Sequence, residues 1–250
     1  MMRANGPFAL FKWEALLGDF PFFLEGLLYT FVISLSALLL ALALGIVFGL
    51  LSSAAFPPAR AAARVYVEFF QNTPLLIQVF FLYNGLPFLG LVLDVTTIGI
   101  LGVGLYHGAY ITEVVRAGIG SVGRGQREAA LSQGLAYSQM MGYIVLPQAV
   151  RVMLPPLTMQ AVNLIKNTSV VAIIAGSDIM FAANSWSSGN LYYGPAYVAA
   201  GVLYFCLCFP LAKLASYLER RAKQAFGQAD PGQADAAATR AAAKGAVTGG

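Results

Sequence analysis

Apolar residues fill this chain in five long blocks, and polar residues gather between the blocks rather than alternating within them. Residues 27–51 carry no charge. At about 1.5 Å per residue, such a run crosses a hydrocarbon core about 30 Å thick. A second block, 61–86, is interrupted by Glu68, Gln71, Asn72 and Pro74 and closed by Gly85, Pro87 and Gly90. A third covers 95–115, holds His107 and ends on Glu113 and Arg116. A fourth runs over 152–180, with Pro155 and Pro156 read as a helix start. A fifth covers 192–214. Backbone in lipid must satisfy its own hydrogen bonds, so each block is expected to be a helix. The pattern predicts an all-α integral membrane protein with five transmembrane helices, its membrane domain spanning 25–222. Residues 1–24 are short, mixed and aromatic, an expected interfacial segment. The first long apolar run starts too late and is too long for a signal-peptide core. Residues 223–250, rich in Ala, Gly and Gln, are expected to be a disordered tail.

Composition supports lipid as the solvent: 58% of residues are hydrophobic, 10% are charged, and the mean hydropathy is +0.71. A soluble domain carries about 25% charge. The net charge of +4 matters less than its placement. Arg60 and Arg64 follow the first block, and Arg116, Arg124, Arg127 and Arg151 surround the stretch after the third. Lys213, Arg220, Arg221 and Lys223 follow the fifth, while the other two connections hold no Lys or Arg. Basic loops stay in the cytoplasm, so the N-terminus is expected outside and the C-terminus inside. No clustered basic face suggests nucleic acid. Cys206 and Cys208 point to different sides of a helix, and with no ligand partners they read as small core hydrophobes.

The longest polar connection, about 117–150, is where a function is expected. Residues 126–132 favour helix, and Glu128 is expected in the first turn, near the positive dipole end. Gly134 breaks that run. Residues 136–143 can form a second short helix, which Leu146-Pro147 is expected to end. The product is a compact knob. Ala129 and Ala130 let it seat in a groove, and Glu128 offers a charge to a partner. A plain loop held by its own caps fits the same pattern.

Read together, Glu128-Ala129-Ala130, Gly134, Ile144, Leu146 and Pro147 stand at the spacing Glu-Ala-Ala-x3-Gly-x9-Ile-x-Leu-Pro. This resembles the signature loop of ABC importer permease subunits, the EAA loop. The flanks are similar to the polar amino-acid (histidine/glutamine-type) branch: Asn72-Thr73-Pro74-Leu75-Leu76, Glu113 through Ile119, and Asn163-Leu164-Ile165-Lys166-Asn167-Thr168-Ser169. The resemblance covers about 27–221. It implies a type I importer permease fold, a pore of two permeases (a second copy or a sister chain), two ATPase subunits gripping the knob, and an extracytoplasmic substrate-binding protein. Asn72 stands where relatives usually carry Gly, Gly123 where a Pro is common, and Asn167 where cationic amino-acid permeases look to carry Asp.

Polar groups at membrane depth are costly and usually functional. Extended as one helix, the fourth block puts Gln160, Asn163, Asn167 and Asp178 on one side, with Lys166 beside them. A lone Lys near mid-membrane costs about 2.5–3.5 kcal/mol against lipid, so it faces a pore or a carboxylate such as Glu68 or Asp178. Asn and Gln also serve as interhelical glue. In the second block Pro74 frees the carbonyl of Phe70, beside Asn72 and Thr73, where a bent helix can line a cavity. Glu68 either lines it or pairs with Arg64. His107, among Gly102, Gly104 and Gly108, reads as a packing or interface residue rather than a catalyst. The expected substrate pathway is therefore Asn72, Thr73, Gln160, Asn163, Lys166, Asn167, Thr168 and Ser169. No phosphate loop of the form Gly-x4-Gly-Lys-Ser/Thr occurs, so ATP falls to a partner subunit and no catalytic residue, cofactor or metal is expected here. Five spans and no internal repeat argue against an ion-coupled secondary transporter. A membrane scaffold would leave Lys166 unexplained. The expected role is a permease of the inner membrane for polar amino acids. Glutamine, glutamate and aspartate are favoured over arginine and histidine, because Asn167 supplies no negative charge.

Overall fold

The computed structural model describes residues 6–225 except position 55; the proposed tail lies almost wholly outside them. The described chain is helical: α1 Leu10–Gly18, α2 Phe20–Ser52, α3 Pro57–Asn72, α4 Leu75–Phe80, α5 Val95–Ser121, α6 Arg124–Ser132, α7 Tyr137–Met140, α8 Leu146–Asn167, α9 Ile179–Asn190 and α10 Tyr193–Ala225. Four stretches are long and apolar enough to cross a membrane: Phe20–Ser52, Val95–Ser121, Tyr137–Ile174 and Tyr193–Arg221. A fifth forms if the pair Pro57–Asn72 and Leu75–Leu89, bent by 100°, counts as one broken span.

The seam between α2 and α5 is the centre of the fold. Along α2, Ala37, Ala41, Gly45 and Gly49 are all buried at four-residue spacing. Small residues at that interval let two backbones approach closely, which lipid-solvated helices depend on. The fit leaves no slack: a Cβ at Gly45 would stand 2.2 Å from the Ile111 side chain. Tyr66 and Gln71 on α3 donate to the carbonyls of Leu105 and Ala109 at 2.8 and 3.2 Å, fixing α3 on α5. Asp94 caps α5 by accepting from the Thr97 hydroxyl and N–H, and those two bonds hold its carboxyl below the usual range.

Several helix boundaries differ from expectation. α2 begins at Phe20, so the boundary at residue 24 falls inside it. α1 does not float free. Leu16 is buried in a cluster with Phe23, Ile179 and Trp186, and Asp19 accepts from the Trp186 indole at 2.8 Å. The fourth block ends at Ile174, not at 180: Ala175 turns left-handed (φ 61°) and Asp178 starts α9. Asp178 therefore leaves the polar side on which helical periodicity had placed it. Its carboxylate caps the N–H groups of Met180 and Phe181 and accepts from the Tyr204 hydroxyl, while Thr30 accepts from the N–H of Ile179. Residues 181–191, expected as a loop, are mostly α9.

Prolines depart from expectation in both directions. Pro155 and Pro156 do not start a helix; they lie inside α8. Leu146-Pro147 does not end one either. A π-helical turn, Met141–Val145, carries α7 into α8. Its wider bonding makes room for the ring of Pro147, which then sits in the first turn of the α-helix proper. Pro74 behaves as expected. It breaks the helix, and Gln78 Nε2 donates at 3.0 Å both to the freed Phe70 carbonyl and to that of Thr73.

Candidate functional site

The fourth span contributes Gln160, Asn163, Lys166 and Asn167 to one polar stripe, at the i, i+3, i+6, i+7 spacing of a helix face. α5 faces it with Tyr106, His107 and Tyr110. Together they line an open cavity of about 390 Å³. The stripe is legible in the sequence because the period is 3.6 and the surroundings are apolar. The aromatic wall is not, since nothing local sets Tyr106 and Tyr110 apart from packing residues.

Ordinary packing does not explain His107. Its ring is buried, 2% exposed, and bonded at both nitrogens. Nδ1 lies 3.2 Å from Gln160 Oε1, and Nε2 lies 3.0 Å from Asn167 Nδ2. A neutral ring satisfies both bonds, donating from one nitrogen and accepting at the other, with the two amides turned to match. The Tyr106 and Tyr110 hydroxyls are 3.1 Å apart. Lys166 is exposed to the cavity, and it forms no ion pair with Glu68 or Asp178 among the described residues. Arg64 and Glu68 form no ion pair either. Arg116 instead pairs with Glu113, at 2.5 Å. The cavity wall thus carries one ammonium and no carboxylate.

Four other expected pathway residues fall elsewhere. Asn72 and Thr73 donate to the carbonyls of Glu68 and Phe69 at the break in α3–α4. Thr73 lines a separate apolar cleft with Phe69, Phe70, Ile77 and Phe81. Thr168 is fully buried and donates to the Ile165 carbonyl. Ser169 donates to the carbonyl of Lys166.

The knob is assembled from α6, α7 and the π turn. Glu128 is the fifth residue of α6, so it stands in the second turn rather than the first. Glu128 and Ala129 are exposed, whereas Ala130 turns inward onto the core with Met140 and Val145. Gly134 adopts φ +80°. Its N–H bonds Leu131 O at 3.0 Å and that of Leu135 bonds Ala130 O at 3.2 Å, the pair of bonds that closes a helix through a left-handed residue. Ile144 and Leu146 pack partly against the core, and Pro147 is exposed. Arg127 ties α6 to α5 by donating to the Ile119 carbonyl. Its outer surface is mixed: Leu131, Tyr137 and Tyr143, the last 76% exposed, stand among exposed polar residues such as Gln126, Gln133 and Gln139.

The binding-protein-dependent transport system inner membrane component family matches residues 41–224. The chain belongs to this family. It is a multi-pass membrane permease. The probable glutamine ABC transporter permease protein GlnM of Bacillus subtilis is 38% identical over 211 residues, covering 84% of this chain and 98% of that one. The arginine transport system permease protein ArtQ of the same species is 32% identical over 212 residues, 84% and 97%. In structure, the permease is similar to a chain from the crystal structure of an amino acid ABC transporter with histidines. The TM-score is 0.78 and the identity 30%, over 84% of this chain and 98% of that chain.

Proposed function

We propose that this permease forms half of the transmembrane pore of an ATP-driven importer of polar amino acids, with glutamine, glutamate and aspartate favoured over arginine and histidine. The observation that carries the reading is the cavity between α5 and α8, whose wall holds Lys166 and no carboxylate. An amino acid brings at least one carboxylate, and an ammonium with no ion-pair partner among the described residues attracts it. A cationic side chain would meet Lys166 without a counter-charge. The arginine-named relative keeps a cationic substrate as the second reading.

ATP binds and is hydrolysed on separate subunits, and substrate arrives on an extracytoplasmic binding protein. The second half of the pore is another copy or a sister permease. The exposed face around Glu128, Ala129 and Tyr143 is the surface an ATPase grips. Motion of the knob is relayed through the continuous path from α7 into α8, whose far turns carry Asn163, Lys166 and Asn167, so the two pore halves switch access. Uptake of a panel of labelled amino acids by the reconstituted complex tests the substrate assignment. Preference for arginine or histidine over glutamine and glutamate would show it to be wrong.

A further inference from the structure

α5 ends without the left-handed residue that closes α6. Val122, which follows it, is extended (φ −73°, ψ 121°), so the last carbonyls of the helix need donors from outside its own backbone. Two side chains supply them. Ser121 Oγ donates to the Gly118 carbonyl at 2.7 Å, and an Arg127 Nη donates to that of Ile119. The two bonds differ in reach. Ser121 closes its own helix, whereas Arg127 stretches back from α6 across the two-residue joint Val122–Gly123. Val122 is anchored in the core, but nothing stands within 4 Å of a Cβ built on Gly123, so packing does not hold the joint there. A cation at a helix C-terminus is favourable. Arg127 Nε, however, is buried with no hydrogen-bond partner among the described residues, a cost that capping alone does not require.

We propose that Arg127 is a positioning residue, a latch across the Val122–Gly123 joint that fixes the angle between α6 and α5, so that motion imposed on the knob by an ATPase also turns the aromatic wall of the cavity. The proposal rests on the knob being the ATPase grip and the cavity being the amino-acid pathway. Glu128, exposed on α6, is the next residue, so a load taken there arrives beside the latch. α5 is one unbroken helix from Val95 to Ser121, and Tyr110 lies nine residues, about 13.5 Å along the axis, from Ile119. At the same end Gly118 packs on α8 without slack: a Cβ there would stand 2.3 Å from the Met153 side chain. That contact serves as the fulcrum. The chain path through the π turn moves α8, and the latch moves the wall opposite, with Tyr106, His107 and Tyr110. Without the latch, the backbone freedom of Gly123 lets the knob shift while that wall stays in place.

The test is the number of ATP molecules hydrolysed per amino acid transported, measured in proteoliposomes with the binding protein and labelled glutamine, or arginine should the uptake panel favour it. Arg127→Leu should raise that ratio about tenfold, the equivalent of one hydrogen bond to a charged group, with the amount of co-purified ATPase unchanged. Adding Gly123→Pro to the same chain should bring the ratio back. Gly123 already has φ −55° and ψ 142°, which a proline ring accepts, and Val122 has the extended backbone that a residue before proline adopts. The ring stiffens the joint but restores neither the charge nor any contact that Arg127 made. Rescue therefore separates fixing the angle from direct grip by the ATPase. An unchanged ratio in Arg127→Leu, or a raised ratio that Gly123→Pro does not lower, overturns the proposal. Glu128→Lys separates the two levels. If it uncouples transport while Arg127→Leu does not, only the latch falls. If neither variant alters the ratio, the knob is not the grip and the reading beneath falls as well. Should Arg127→Leu fail to assemble, the chain carrying both Arg127→Leu and Gly123→Pro decides. Assembly with the unaltered ratio supports the latch, and failed assembly or a raised ratio overturns it.

Discussion

At the scale of residues, two polar side chains show how far local sequence context reaches. Asp178 looked like a member of the polar stripe because helical periodicity was extended past Ala175, where the chain in fact turns left-handed. Its carboxylate instead satisfies two N–H groups of α9 and the Tyr204 hydroxyl. Asp178→Ala should therefore cost stability, about 1–3 kcal/mol for the donors left without a partner. Thermal unfolding of the purified complex measures the loss, and uptake per assembled complex should stay near the unaltered value. His107 was expected as a packing or interface residue, but its partners on the facing helix stand 53 and 60 positions away, a distance no local pattern spans. Gln160, Asn163, Lys166 and Asn167 were legible because they share one helix turn after turn. Lys166→Met should depress uptake roughly tenfold or more with assembly intact. Normal transport by that variant would make the lysine structural and move the pathway to another face.

At the scale of elements, the knob tests how closely the loop signature follows physics. Gly134 was expected to break α6, and it does so in the left-handed conformation that a residue with a Cβ adopts at a cost of about 1–2 kcal/mol. Nothing stands within 4 Å of a Cβ built there, so the penalty for Gly134→Val is torsional, not steric, and falls on the α6–α7 joint. Glu128→Lys reverses an exposed charge on the same surface. Both variants should reach the membrane in normal amount, yet fail to couple ATP hydrolysis to uptake. Co-purification with the ATPase and ATP-driven uptake in proteoliposomes measure the two effects, and full transport by either variant would refute the coupling role. Helix stops were the least legible feature. Proline was read as punctuation at 147 and 155–156, but a π turn absorbs the first and the interior of α8 holds the other two. Backbone bonding that shifts by one residue leaves no mark in the hydrophobic pattern.

At the scale of the molecule, the number of crossings depends on one bend. The apolar blocks disclose four spans directly, while α3 and α4 meet at 100° around Thr73 and Pro74. As a broken span the pair crosses the membrane, giving five crossings and termini on opposite sides. As a re-entrant loop it returns, giving four. Charge favours crossing. Arg60 and Arg64 begin α3, residues 91–94 after the bend carry no Lys or Arg, and Arg116, Arg124 and Arg127 follow α5. A re-entrant pair would put the basic start of α3 on the same side as 91–94 and oppose it to the basic end of α5, against the tendency of short basic loops to stay cytoplasmic. Single-cysteine chains, with Cys206 and Cys208 replaced by serine, distinguish the two. Phe56, Val92 and Ser132 are exposed at the three connections in question. A membrane-impermeant maleimide applied to intact cells should modify Val92→Cys, and should reach Phe56→Cys and Ser132→Cys only after permeabilisation. That result puts the knob where an ATPase can grip it and the N-terminus outside. Modification of Phe56→Cys and Val92→Cys from the same side would make the α3–α4 pair re-entrant and reduce the crossings to four.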